Sequence, residues 1–253
     1  SGKSIFAMLI DGENTVVSDP DRSHCEKALK SLDHLVVIDI FLTETAELAD
    51  VVLPATAWAE TDGVCTNTER RVQRLRQAVP PPGQAKPDWW IISQIAKRLG
   101  FDGFEFDSAK DIFEELCSLS PIYAGLDWDR IELGAYQWPV PDKNHPGTPI
   151  LHENEFKNGL GIFKVIGYRD PAETTSNSFP IWLTTGRRLQ AYHTRTQTGR
   201  TEGMDYLLNE ERLEINPEDI TSLGLRDGGW CRIFSARGQV DVRVKKTTRS
   251  PKG

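Results

Sequence analysis

"HLVVIDIF" (34–41) and "DVVLP" (50–54), separated by eight residues, decide the fold class. Neither run alternates apolar with polar residues. A strand that is apolar on both faces belongs in a parallel sheet covered from both sides. Pro54 stops the second run, and "ETAELA" (44–49) predicts one or two helical turns between the strands. Working outward, "SIFAMLI" (4–10) reads as another buried strand that ends in the polar turn "DGENT" (11–15). "DPDRSHCEKALKSLD" (19–33) sets Cys25, Ala28, Leu29 and Leu32 at helical spacing, with Asp19 or Asp21 as the N-cap. Strand, helix, strand, short helix, strand is the rhythm of a layered α/β sheet with right-handed crossovers. Ligands of such sheets bind at the carboxyl ends of the strands. That points to "DGEN" (11–14), "DIFLTET" (39–45) and "PATAWAETDG" (54–63).

Beyond the proline-rich "PPPGQAKP" (80–87), "DWWIISQIAKRLGF" (88–101) predicts a helix with Asp88 at its start and Gly100 at its C-cap. "SAKDIFEELCSLS" (108–120) predicts a second amphipathic helix. Residues 121–178 have no clear period and read as loops with short strands. "FPIWLTT" (179–185), "WCRIFSA" (230–236) and "QVDVRVKKT" (239–247) read as strands, with Gly228-Gly229 and Arg237-Gly238 marking turns. The expectation is α/β: a partial doubly wound parallel-sheet domain (1–140), an irregular connector (141–178) and a small, incomplete β-barrel domain (179–253).

The 253 residues suffice for one large domain or two smaller ones, and 38% hydrophobic with 26% charged residues reads as folded rather than disordered. A net charge of −7 repels phosphate at long range, which argues against nucleic acid or an anionic membrane as partner. Cys25, Cys65, Cys117 and Cys231 form no CxxC or Cys/His cluster, so no metal site is read from them. No apolar run reaches the ~20 residues that span a bilayer, and no secretory leader is visible. A cytoplasmic location is expected. Ser1-Gly2 resembles an expression scar, and the chain stops at "TTRSPKG" (247–253) after a strand-like run, as a piece of a longer protein would.

Against this acidic background, "LTTGRRLQAYHTRTQTGR" (183–200) holds four arginines, five threonines and one histidine without a carboxylate. Arginine forks match phosphate oxygens, and threonine hydroxyls add donors. A solvated basic face is the ordinary reading of a charge run. The interleaved threonines and the bracketing Gly186 and Gly199 favour a loop that wraps an extended polyanion such as a dinucleotide pyrophosphate. His193 reads as a hydrogen-bond donor rather than a proton-transfer group. Asp11-Gly12-Glu13-Asn14 fits a plain turn and equally a ribose or base contact. Asp39 fits a cap and equally a nucleotide acceptor. Asp88 fits an N-cap, or an acceptor for the ring N–H and exocyclic amine of guanine.

"DGENTVVSDPD" (11–21), residues 36–73, "PDWWIISQIAKRLG" (87–100), residues 183–200 and residues 214–244 together resemble the C-terminal part of the molybdopterin oxidoreductases of the dimethyl sulfoxide reductase family. Within it they are most similar to the catalytic subunits of formate dehydrogenases. The resemblance spans nearly the whole chain in unbroken order. It implies a molybdenum or tungsten bis-molybdopterin guanine dinucleotide cofactor. Gly12, Glu13 and Asn14 would sit at a guanosine end with Ser18 nearby, Asp39 and Thr43 beside the same nucleotide, and Asp88 on the guanine edge. Gly186, Arg187, His193, Arg195, Thr196 and Thr198 would contact pterin and phosphate groups.

The resemblance also implies what lies elsewhere. The iron–sulfur site and the metal-ligating cysteine or selenocysteine would belong to a missing N-terminal part, so this piece alone would be inactive. Partners would be that missing part, iron–sulfur or NAD-linked electron-transfer subunits, and a small-molecule substrate. Where the family often has "MGENP", this chain has "DGENT" (11–15). The competing readings are a fragment of an assimilatory nitrate reductase of the same family, a stand-alone nucleotide-cofactor-binding module without redox activity, and an interaction domain whose basic loop meets an acidic partner.

Overall fold

The computed structural model describes residues 5–208 and 210–253. Ser1-Gly2 and the first residue of the expected opening strand lie outside the described residues. In chain order the first elements are β1 (Ala7–Asp11), α1 (Thr15–Ser18), α2 (Arg22–Lys30), β2 (His34–Asp39), β3 (Val51–Pro54), β4 (Gly63–Thr66) and β5 (Arg71–Leu75). Then come α3 (Asp88–Arg98), α4 (Ala109–Leu119), α5 (Trp128–Leu133), β6 (Tyr136–Gln137), α6 (Glu202–Leu207), β7 (Arg212–Ile215), α7 (Pro217–Ser222), β8 (Trp230–Phe234) and β9 (Gln239–Lys246). The chain is a mixed α/β protein with two compact units. One comprises the residues through Glu13 with Leu32–Lys164, and the other Asn14–Ser31 with Val165–Gly253.

In the first unit β1, β2 and β3 form a parallel sheet in that order. The apolar run of β2 buries Leu35, Val37 and Ile38 almost completely, as a central parallel strand requires. α3 lays Ile91 and Ile95 against Ile38 and Ala55. Its N-cap is Pro87, one residue earlier than the sequence suggests, and it ends at Leu99 ahead of Gly100, whose φ of +81° is the left-handed geometry of a helix stop. α4 opens on a capping box in which Ser108 and Asp111 satisfy each other's backbone N–H.

The same unit holds an antiparallel sheet of order β4-β5-β6, which the sequence reading left unrecognised. Its polar and arginine-rich strands carry little apolar alternation. The turn is held by Asn67, whose Oδ1 accepts from the N–H groups of Glu69 and Arg71. Behind it, Val72, Phe113, Cys117, Leu126, Ile131 and Val140 form a core, with Arg74 stacked 3.7 Å from the Trp128 ring centroid and 2.6 Å from Glu132. Burial pushes the Cys117 thiol up to about 11, so it packs as a small apolar group. α5 and β6 fall inside 121–178, where loops and short strands were expected.

In the second unit β7 runs parallel to β9 and β8 antiparallel to it, over a core of Ile215, Ile220 and Val244. Two expectations need correction. Residues 179–185 form no strand: Ile181, Trp182 and Leu183 are exposed, Phe179 exchanges backbone hydrogen bonds with Ser176 in a local turn, and the Trp182 N–H donates to the carbonyl of Gly253. Without a laddered partner an apolar run gains nothing from extended pairing. The sheets are also small and open, and among the described residues none closes into a barrel.

Candidate functional site

In the first unit, strand register gathers the polar turns. Asp11 pairs with Ile38 and Asp39 with Pro54, so the carboxyl ends of all three parallel strands lie side by side. The Gly12 N–H donates to the Ile38 carbonyl at 2.8 Å, and the Ala55 N–H to the Asp39 carbonyl at 3.1 Å. Gly12 has φ +65°, and a Cβ built there would meet nothing within 4 Å, leaving open space over the turn. Glu13 is exposed. Asp39 is buried, and its Oδ1 accepts from the Phe41 N–H at 3.1 Å, a local turn that occupies one carboxylate oxygen. Thr43 is fully enclosed; its hydroxyl accepts from the Ala46 N–H at 3.2 Å and holds the single turn after β2.

Asp88 is the first residue of α3, and the cap position before it is taken by Pro87, which makes no side-chain cap. Half-buried, it feels the neighbouring carboxylates. Burial first, then Asp11 and Asp39, raise its pKa, with its own backbone N–H opposing. Asp11, although exposed at the strand end, is raised as well, first by partial desolvation beside the apolar groove of Leu9, Ile92, Ile95, Leu99 and Phe101 and then by Asp39. Three carboxylates at one sheet mouth repel one another unless donors arrive, and this mouth therefore suits a ligand edge rich in N–H groups. Asp11 joins the site although residue type alone fits it to a plain turn. Its signal was the acid standing where the family often has methionine.

In the second unit the loop around 183–200 folds on itself. The Arg195 N–H donates to the Tyr192 carbonyl at 3.0 Å and the Gly199 N–H to the Arg195 carbonyl at 2.7 Å. His193 and Arg195 both have left-handed backbones, φ +48° and +64°, a costly geometry for non-glycine residues. The Thr198 hydroxyl accepts from the Tyr192 N–H at 3.2 Å, and the Thr196 hydroxyl from Asn14 Nδ2 at 3.2 Å. Asn14 thus turns its amide to the loop, while Ser18 lies exposed beside Asp19, 3.4 Å from its carboxylate. Arg188 stands 3.5 Å from Glu211. Arg187 is exposed and, among the described residues, meets no carboxylate; Gly186 beside it has open space where a Cβ would sit. A loop with an uncommitted arginine and hydroxyls already accepting from N–H groups has donors left over, the chemistry a phosphate needs. Among the described residues no group of three or more His, Cys, Asp or Glu side chains is placed to hold a metal ion.

The family model for molybdopterin oxidoreductase matches residues 2–98, and that for the Molydopterin dinucleotide binding domain matches residues 181–253. The chain belongs to the molybdopterin oxidoreductase family. It is similar to the F420-dependent formate dehydrogenase subunit alpha of Methanocaldococcus jannaschii, 48% identical over 100% of this chain and 38% of that protein. The F420-dependent formate dehydrogenase 2 subunit alpha of Methanococcus maripaludis is 45% identical over the same shares. The chain thus spans 38% of the length of these relatives. Among solved structures, acetylene hydratase from Pelobacter acetylenicus superimposes with a TM-score of 0.76 at 22% identity, over 98% of this chain and 36% of that one, a likeness of fold. The two matched segments contain the two polar sites, the strand-end mouth in the first and the arginine–threonine loop in the second.

Proposed function

We propose that this chain is the cofactor-gripping C-terminal portion of a formate dehydrogenase catalytic subunit, holding a molybdenum or tungsten bis-molybdopterin guanine dinucleotide. The single observation that carries the reading is Asp88: a half-buried carboxylate at the first residue of its helix, just past Pro87 in the cap position, pressed by Asp11 and Asp39. Two N–H donors of a guanine edge would satisfy it, and adenine offers no such pair. Gly12 and Glu13 would border the nucleoside, and Thr43 and Asp39 would hold the turn beneath it. Independently, Gly186, Arg187, His193, Arg195, Thr196 and Thr198 would hold phosphate and pterin groups, with Asn14 orienting Thr196 and Ser18 nearby. Names of relatives that carry formate dehydrogenase activity favour formate over nitrate as the substrate of the whole protein.

When bound, such a cofactor supplies the redox chemistry that takes two electrons from formate and releases carbon dioxide. This chain's own residues do the gripping: arginines neutralise phosphate charge, hydroxyls and amides fix its orientation, and Asp88 selects the base. The doubly wound sheet, the domain limits 1–140, 141–178 and 179–253, a cytoplasmic home, the iron–sulfur site of the missing N-terminal part and electron-transfer subunits all belong to the same proposal. It is tested by calorimetric titration of the chain with GDP and ADP. Binding of GDP at least tenfold tighter, lost in Asp88→Asn, is the expected result (on the order of 1–3 kcal/mol for an acceptor serving a donor pair). Equal affinity for both nucleotides would contradict it.

A further inference from the structure

Residues 160–168, "LGIFKVIGY", expose six large apolar side chains in nine positions: Leu160, Ile162, Phe163, Val165, Ile166 and Tyr168. Phe163 and Val165 reach 101% and 102% relative exposure, as bare as in an extended peptide. Clustered apolar exposure of this kind marks a surface that something covers. The residues just before it begin a hairpin. Phe156 and Gly159 exchange backbone hydrogen bonds at 2.9 and 2.8 Å around a two-residue turn through Lys157 and Asn158. No further rung follows, and among the described residues no hydrogen bond joins the backbone of 160–168 to another part of the chain. The stretch is rich in the β-branched and aromatic types that suit a strand, and no strand lies beside it.

The pattern says what kind of neighbour fits. In an extended chain Leu160, Ile162, Ile166 and Tyr168 share one face with Lys164, and Phe163 and Val165 take the other. A strand apolar on both faces belongs inside a body that covers it twice. A second copy of the chain fits badly. Lys164 is the midpoint, so antiparallel self-pairing sets two ammonium groups directly opposite, and in-register parallel pairing sets them side by side. The relatives supply a better occupant, because this chain spans only 38% of their length. We infer that residues 160–168 are a docking strand for the remaining part of the same polypeptide. They add to an open sheet edge that brings apolar side chains over both faces and an acceptor for the Lys164 ammonium. The inference rests on the reading of this chain as one portion of a longer catalytic subunit.

The test is hydrogen–deuterium exchange of the full-length protein beside this 253-residue chain. In the chain alone the amides of 160–168 should exchange as fast as an unstructured peptide at every protein concentration. In the full-length protein they should be slowed by roughly a hundredfold or more, as in a laddered strand. Full-length Phe163→Asp and Ile166→Asp, one on each face, should lose that protection while the amides of β2 keep theirs. Fast exchange of 160–168 in the full-length protein would overturn the inference. So would protection that appears in the chain alone as its concentration rises, which would make a second copy the occupant. Protection retained in both folded variants would overturn it as well. Where a variant fails to fold, the comparison of the two parent proteins decides. These amides report on no nucleotide, so a cofactor reading that failed with GDP and ADP would leave this result standing.

Discussion

Asp88 was legible in the sequence only as an acid at a helix start, which fits a cap as well as a ligand contact. The structure separates the two, because Pro87 takes the cap position and the carboxylate is left among other carboxylates. Its raised pKa, shared with Asp11, has a definite sign. The folded chain holds these protons more tightly than the unfolded chain, so these two groups make folding more favourable as pH falls from the raised values toward the ordinary aspartate value. Above that window the like-charge penalty is fully present. Asp11→Asn should therefore stabilise the ligand-free chain at neutral pH, with a urea midpoint above that of the parent and a smaller gap between them at acid pH. A midpoint below the parent at pH 7 would refute this. GDP affinity should run the other way, weakening as Asp88 takes up its proton. Thiol labelling offers a second residue-scale check: Cys65 is exposed and should react with a maleimide in the folded chain, whereas buried Cys117, its thiol raised to about 11, should react only on unfolding.

At the scale of elements, what was legible followed from burial. β2, apolar on both faces, could only be a central parallel strand, and the periods of 88–98 and 109–119 marked helices whose inner faces carry Ile91 and Phe113. Two elements escaped for opposite reasons. β4 and β5 are four and five residues long and lay only Val64 and Val72 on the core, while Arg74 covers Trp128 with its guanidinium, so a hydrophobic pattern passes over them. Residues 179–185 have the apolar pattern but no partner strand, so the pattern does not become a ladder. Similarly, the backbone of the basic loop, with His193 and Arg195 at positive φ, was invisible to residue type. Ser108→Ala removes the N-terminal cap of α4, far in sequence from either polar site. It should cost about 1 kcal/mol in chemical denaturation while GDP affinity stays at the parent value. Altered affinity would mean that the strand-end site is not as local as its geometry indicates.

For the whole molecule, charge distribution is the informative quantity. A chain of net charge −7 that carries a carboxylate-free stretch with four arginines concentrates its positive charge where an anion would sit. Rising salt should therefore weaken the binding of inorganic pyrophosphate to the chain, and less steeply in Arg187→Ala, because screening acts on the phosphate contacts. A salt dependence unchanged by Arg187→Ala would count against a phosphate role for the loop. Family membership was legible because both polar sites lie in long motif stretches. The Asn14–Thr196 contact was not, since it joins residues 182 apart in sequence.

Arg187 permits the most direct measurement of the central claim, being exposed and, among the described residues, unmatched by any carboxylate, so that its replacement should leave folding intact. In the full-length enzyme carrying Arg187→Ala, metal, pterin and guanine nucleotide should be quantified per purified molecule. The account predicts a several-fold loss of all three in a protein that keeps the parent's melting temperature. Full retention of all three would contradict it.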